Sequence, residues 1–273
     1  MDGSDRAPVI EVRGLRTQFG SHVVHEGLDL DLRAGEILGV VGGSGTGKSV
    51  LLRTIAGLNV PAEGSIRVLG TDVFTADAAA RARLERQWGV MFQDGALFSS
   101  LTVRENVEVP MRGVPDLPPE VSRALAELKV SMVGLPPPAC DKYPSELSGG
   151  MRKRAGLARA LALDPRIVFL DEPTAGLDPI GAAEFDTLIR GLSRSLGLTV
   201  FLVTHDLDTL YAVCDRIAVL AEKRVLTTGT LQDMLDVDHP WVQAYFKGPR
   251  ARAAQDGARR QAEDGRAAAG ESD

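Results

Sequence analysis

The chain has 273 residues, 44% hydrophobic and 25% charged, values of a globular protein able to bury a substantial core. Its formal net charge of −6 argues against a nucleic-acid binder held by phosphate neutralisation, which would normally carry a basic face. The two cysteines, Cys140 and Cys214, lack metal-type spacing and read as reduced thiols, and no apolar run approaches the roughly 18 residues of a membrane helix.

The opening MDGSDRAPVIEVRGL has acidic residues and lacks the apolar stretch of a secretory signal. Residues 8–32 read as β-structure, because Leu28, Leu30 and Leu32 alternate with Asp29 and Asp31 in the period of a sheet with one wet face. EILGVV, from Glu36, is an apolar strand leading straight into GGSGTGKS, and SVLLRTIAGL continues as a helix with Leu51, Leu52, Ile55 and Leu58 on one side. SIRVLG adds a second strand of alternating polarity.

Between about 94 and 145 the proline clusters VPDLPPE and LPPPA flank one helical segment, PEVSRALAELKVSMVGL, predicting a helical insert. After Ser148, helices alternate with the short apolar runs IVFLDE, TVFLVTH and RIAVLAE, which suit parallel strands covered on both faces. DVDHPWVQAYF predicts a short helix with Asp238 near its start and Pro240 in its first turn. Its Val242, Tyr245 and Phe246 fall at helical spacing, to dock on the chain's own core or on a neighbouring copy. The domain is expected to span residues 8–247. The remainder, 248–273, has almost no large apolar residue and is expected to be disordered.

GGSGTGKS matches the G-x-x-x-x-G-K-[ST] phosphate loop, here between a predicted strand and a predicted helix. Through Gly42, Gly43, Ser44, Gly45, Thr46 and Gly47 the backbone can wrap close to phosphates with its N–H groups inward. Lys48 would reach the β- and γ-phosphates, and the Ser49 hydroxyl would take a place on Mg²⁺. IVFLDEP supplies the complement: Asp171 is placed to hold Mg²⁺ through water, and Glu172 to polarise the water attacking the γ-phosphate. His205, just beyond the strand FLVTH, is expected to sense the γ-phosphate, since ligands of open α/β sheets gather at the C-terminal strand edge. Gln93, in VMFQD, is expected near Mg²⁺ and the attacking water.

A second glycine turn, LSGGM, raises a different question. Ser148 can cap the following helix while Gly149 and Gly150 let a phosphate approach its N-terminal amides, where the macrodipole adds roughly half a positive charge. Arg152, Lys153, Arg154 and Arg159 read mostly as a solvated face. A second independent nucleotide would need its own lysine and metal carboxylates, and the sequence nearby has none. The economical reading is a composite site, in which this turn contacts the γ-phosphate held by another copy in a two-fold, head-to-tail pair.

Taken in order, GGSGTGKS, Gln93, LSGGM, IVFLDE, the AGLD turn ending at Asp178, and His205 resemble the ATP-binding subunit of an ABC transporter over residues 8–247. The resemblance implies an α/β fold: a P-loop NTPase (RecA-like) core with an antiparallel β-subdomain and a helical subdomain. It also implies a homodimer sandwiching two ATP with Mg²⁺, in which Ser148, Gly149, Gly150 and Asp178 serve the opposite subunit's nucleotide. Phe19, in RTQFG, takes the position where the family stacks an aromatic ring on adenine. Met151 departs from the usual Gln, so any role of that Gln side chain is absent.

That Met, with GALFSSLTVRENV, GLDPIGAAEFD, THDLDTLYAVCDRIAVL and DHPWVQAYFKGPR, is similar to the Mla-type branch. The branch energises phospholipid traffic between the inner and outer membranes of Gram-negative bacteria. It implies a place on the cytoplasmic face of the inner membrane, with a permease and a periplasmic MCE-type lipid-binding protein in the same complex. Small STAS-domain proteins bind some members of the branch.

Overall fold

The computed structural model describes residues 7–93 and 95–248. Two long strands, β1 (Pro8–Phe19) and β2 (His22–Arg33), pair antiparallel, and β4 (Glu63–Val68) and β5 (Thr71–Asp72) extend them in the order β2-β1-β4-β5. Their alternation drives Ile10, Val12, Leu28, Leu30 and Leu32 into the core and leaves Asp29 at the surface.

The second sheet is built on β3 (Ile37–Gly42), with β6 (Trp88–Met91), β7 (Ile167–Asp171), β8 (Thr199–Val203), β9 (Arg216–Ala221) and β10 (Arg224–Gly229). The strand order is β10-β9-β3-β8-β7-β6, parallel except for β10. Every residue of β3, β7 and β8 is buried, which is why these runs lack polar alternation. Period two still sorts them. Leu38, Val40, Ile167, Phe169, Phe201 and Val203 face a core shared with the antiparallel sheet and α1 (Lys48–Ile55). Ile37, Val168, Leu170, Val200 and Leu202 face the opposite core, with α5 (Gly149–Ala160) and α6 (Pro179–Leu196).

α1 stops at Ile55, so Leu58 does not join its buried face as the spacing suggested and is 58% exposed. Beyond α2 (Ala78–Glu85), the insert holds α3 (Val103–Glu108) and α4 (Pro119–Met132). The sequence reading found only α4. α3 was legible in Thr102-Val103-Arg104-Glu105, a capping box in which the Thr102 N–H donates to Glu105 at 2.7 Å and the Glu105 N–H to the Thr102 hydroxyl at 3.3 Å.

The chain ends through α7 (Leu207–Val213), α8 (Leu231–Asp236) and α9 (Pro240–Phe246). His239 occupies the N-cap of α9, with Asp238 just before it and Pro240 in the first turn, as expected. α9 docks on its own chain, with Val242 and Phe246 buried against Val41, Leu210, Ile217, Val219 and Met234. The expectation of disorder concerns a tail whose residues from 249 on lie outside the described residues. No helix among the described residues is long and apolar enough to cross a membrane.

Candidate active site

Parallel strands put their C-terminal ends on one edge, and the loops leaving β3, β7, β8 and β6 carry the expected groups there. The loop after β3 turns through Gly45 and Gly47 with φ of 76° and 92°. At Gly47 a side chain is doubly excluded: a Cβ would lie 2.4 Å from Val24 Cγ1 and 2.6 Å from His25 Nε2. Lys48, half-buried at the start of α1, donates to the carbonyls of Gly42 (3.0 Å) and Gly43 (3.1 Å) across its own loop. Burial pulls its pKa down, and Glu172 and Asp171 pull it up.

The Ser49 hydroxyl donates to Asp171 Oδ1 at 2.7 Å. Hydroxyl, carboxylate and the amide of Gln93 are hard oxygen donors, the set that suits Mg²⁺. Gln93 itself follows β6 with an exposed side chain. Glu172 sits in the left-handed region at φ 50°, a costly conformation for a residue with a Cβ. Two bonds hold it there: its N–H donates to Val203 on β8 at 2.9 Å, and its carbonyl accepts from Lys153 at 3.3 Å. The carboxylate is thereby turned to His205, whose Nδ1 donates to Oε2 at 2.7 Å. Lys48, Ser49, Asp171, Glu172 and His205 form one cluster.

Ser148, Gly149, Gly150 and Asp178 form a second group around Leu177. The Ser148 hydroxyl caps α5 by accepting from the Met151 N–H at 3.2 Å. Ser148 and Gly149 are exposed, and a Cβ on Gly149 or Gly150 would meet only Leu177, at 4.0 Å. Asp178 caps α6, its Oδ1 accepting from Ile180 (3.1 Å) and Gly181 (2.9 Å). Phe19, at the end of β1, is 55% exposed, a free ring face of the kind a planar base stacks on.

The solvated face read for α5 holds at Arg152, which is exposed, and is corrected at the other three cations. Lys153 is buried, 6% exposed, and donates to the carbonyls of Gln93 and Glu172. Arg159 donates to Gly95 and Ala96, Arg154 to Val133, and Arg152 to Leu147. These cations satisfy loop carbonyls that α5 packs against, a contact that helical periodicity does not reveal. The sequence reading also missed His25, which looked like one more residue of an alternating strand. It is fully buried, hydrogen-bonded to the Thr17 hydroxyl at 2.7 Å, and forms the floor beneath Gly47. Burial lowers its pKa to about 4.

The family model described as ABC transporter matches residues 25–175. A probable ribonucleotide transport ATP-binding protein of Mycobacterium leprae is 40% identical over 91% of this chain and 72% of its own. A methionine import ATP-binding protein of Caulobacter vibrioides is 43% identical over 79% of this chain and 64% of its own. An intermembrane phospholipid transport system ATP-binding protein of Haemophilus influenzae is 36% identical over 88% of this chain and 90% of its own. Among solved structures, a dimeric post-hydrolysis ATP-binding cassette bound to ADP and Pi superposes with a TM-score of 0.74 at 28% identity, covering 81% of this chain and 98% of that one. With the phosphate loop, the Ser49–Asp171 pair and the Glu172–His205 pair on one strand edge, the chain belongs to the ABC transporter family as its ATP-binding, ATP-hydrolysing subunit, using ATP with Mg²⁺.

Proposed function

We propose that this subunit drives phospholipid movement between inner and outer membranes. One observation carries the cargo: the phospholipid-system relative matches over 88% of this chain and 90% of its own, whereas the ribonucleotide and methionine relatives extend further beyond the match, at 72% and 64% of their lengths. The higher identity of the methionine relative, 43%, favours an amino-acid cargo as the second reading.

In the working unit two copies meet head to tail, a reading supported by the dimeric relative and by the exposed turn at Ser148. Phe19 stacks on adenine, and the amides of Gly42–Thr46 with Gly47 and Lys48 hold the phosphates. Ser49, Gln93 and, through water, Asp171 would hold Mg²⁺, which would supply positive charge to offset that of the phosphates. Glu172 accepts a proton from the attacking water. His205 donates toward the γ-phosphate and, through Nδ1, orients Glu172. Ser148, Gly149, Gly150 and Asp178 of one copy close on the nucleotide of the other. The dimer sits on the cytoplasmic face of the inner membrane under a permease, with a periplasmic MCE-type protein in the complex and a STAS-domain protein as a further candidate partner.

The test is reconstitution. Neighbouring genes should encode the permease and MCE-type protein, and the complex in vesicles should move a fluorescent phospholipid with ATP and leave methionine where it was. Methionine uptake without lipid movement would replace this cargo by the second reading. Glu172→Gln should trap an ATP-bound dimer, and dimerisation indifferent to that substitution would count against the hydrolytic roles.

A further inference from the structure

We propose that Tyr245 is a positioning residue for hydrolysis, holding the backbone of His205 so that its imidazole stays on Glu172. This inference rests on the roles given above to His205 and Glu172.

The His205 side chain is 69% exposed, and its contact within the chain is the carboxylate of Glu172, 2.7 Å from Nδ1. The direction of the ring therefore depends on the peptide that carries it. The backbone on either side is tied: the Thr204 N–H donates to Val40 at 3.3 Å, and the Asp206 N–H to the Thr204 hydroxyl at 3.0 Å. Between those two ties the His205 carbonyl accepts from the Tyr245 hydroxyl at 2.8 Å. The imidazole branches from the Cα next to this carbonyl, so a turn of the carbonyl about ψ, with the backbone tied on either side, would shift that Cα and move the ring off Glu172.

The anchor for that hydroxyl is rigid. Tyr245 lies flat on Trp241, ring centroids 4.8 Å apart at 13°, and meets Phe246 edge-on at 5.0 Å and 79°. Trp241 in turn leans on the phosphate loop, its indole nitrogen 3.6 Å from where a Cβ on Gly43 would stand. One face of α9 thus touches the β3 loop through Trp241 and the β8 loop through Tyr245. Docking of α9 does not require the phenol oxygen, since Val242 and Phe246, both fully buried, carry the packing.

Tyr245→Phe removes the oxygen and keeps the ring. In steady-state ATP hydrolysis by the full-length protein, kcat should fall about five- to tenfold, the weight of one hydrogen bond felt in the transition state. KM for ATP and the melting temperature should stay at their wild-type values. His205→Ala is the control, and adding Tyr245→Phe to it should cost nothing more, because no ring remains to be aimed. If Tyr245→Phe turns over within twofold of wild type while His205→Ala is impaired, the inference falls and the His205 role stands. A loss of kcat accompanied by a raised KM and a lowered melting temperature would also overturn it, by making Tyr245 a packing residue. If His205→Ala itself hydrolyses normally, the role of His205 fails first, and the inference goes with it.

Discussion

The two glycine turns of this chain begin two helices and look alike in one dimension, yet they are built for opposite purposes. The turn at Gly42–Ser49 is lined from within: Lys48 returns to its own carbonyls, Ser49 to Asp171, and Val24 and His25 press against Gly47. The turn at Ser148–Gly150 is lined by little of its own chain, since a Cβ on either glycine would meet only Leu177 at 4.0 Å. Glycine in the first is required by the fold. In the second it is compatible with side chains as far as this chain is concerned, and the proposed composite site accounts for its smallness as room for a group arriving from outside. A glycine motif therefore has to be weighed by what its missing Cβ would hit.

The largest effect should come from breaking the inner turn. Gly47→Val places a branched side chain at φ 92° with its Cβ 2.4 Å from Val24. ATP affinity, read by titration calorimetry, should drop at least ~1,000-fold, the roughly 4 kcal/mol of left-handed strain plus overpacking. Wild-type affinity would mean that Val24 and His25 give way while the loop stays in place, and that its lining is no constraint.

A change of pH should act on the two regions in opposite directions. Burial holds His25, under the phosphate loop, at about 4, below its ordinary 6.5, so the unfolded chain takes up the proton first. Its contribution to stability is complete above pH 6.5 and is lost as pH falls toward 4, by ~3 kcal/mol in all. Asp186, on α6 behind Asp178, is the reverse: burial raises it to about 7, with the Thr209 hydroxyl donating to it at 3.0 Å. Its contribution is complete below about pH 4 and is lost as pH rises through 7. Between about pH 4 and 6.5 the two contributions run in opposite directions and largely cancel, so stability to urea should fall with rising pH in His25→Asn and rise with it in Asp186→Asn. Slopes unchanged from wild type would show that neither group controls its region.

How much of this was legible depended on range. β3, β7 and β8 announced themselves because a strand buried on both faces needs an unbroken apolar run, and the chemistry follows at fixed offsets: Lys48 and Ser49 after β3, Asp171 and Glu172 at the end of β7, His205 after β8. Leu58 was misplaced because helical periodicity does not say where a helix stops. Lys153 and His25 were illegible for a deeper reason. Each works through a backbone far away in sequence, Lys153 through the carbonyls of Gln93 and Glu172 and His25 beneath Gly47, and no local pattern marks such a partner. The cap at Thr102 was readable and went unread.

Next in size is the outer turn. Gly149→Asp should leave the melting temperature and ATP affinity of a single chain intact, because the new side chain points into open space. Turnover should nevertheless fall about 100-fold, since a carboxylate would face the γ-phosphate of the other copy. Mixing Gly149→Asp with Lys48→Ala sharpens the result. Half of the dimers would then be mixed, each with one of its two sites free of both changes, so up to about a quarter of wild-type turnover should return. Silence of the mixture would put both turns on one chain's own site.

The smallest effect belongs to the residue that joins the two regions. Lys153 leaves the helix that begins at the outer turn and donates to the carbonyl of Glu172, the strained residue that faces His205. Lys153→Met keeps the stem and removes the donor, so the φ of 50° at Glu172 is held by the Val203 bond at 2.9 Å alone of these two. Turnover should fall about tenfold with ATP affinity preserved, the ~1.4 kcal/mol that one loosened catalytic group carries. If ATP affinity falls in step with turnover, the lysine supports the inner turn as well, and the contrast between a self-lined site and an outward-facing one narrows. If turnover is unchanged, the two turns communicate through the partner copy and not through this chain.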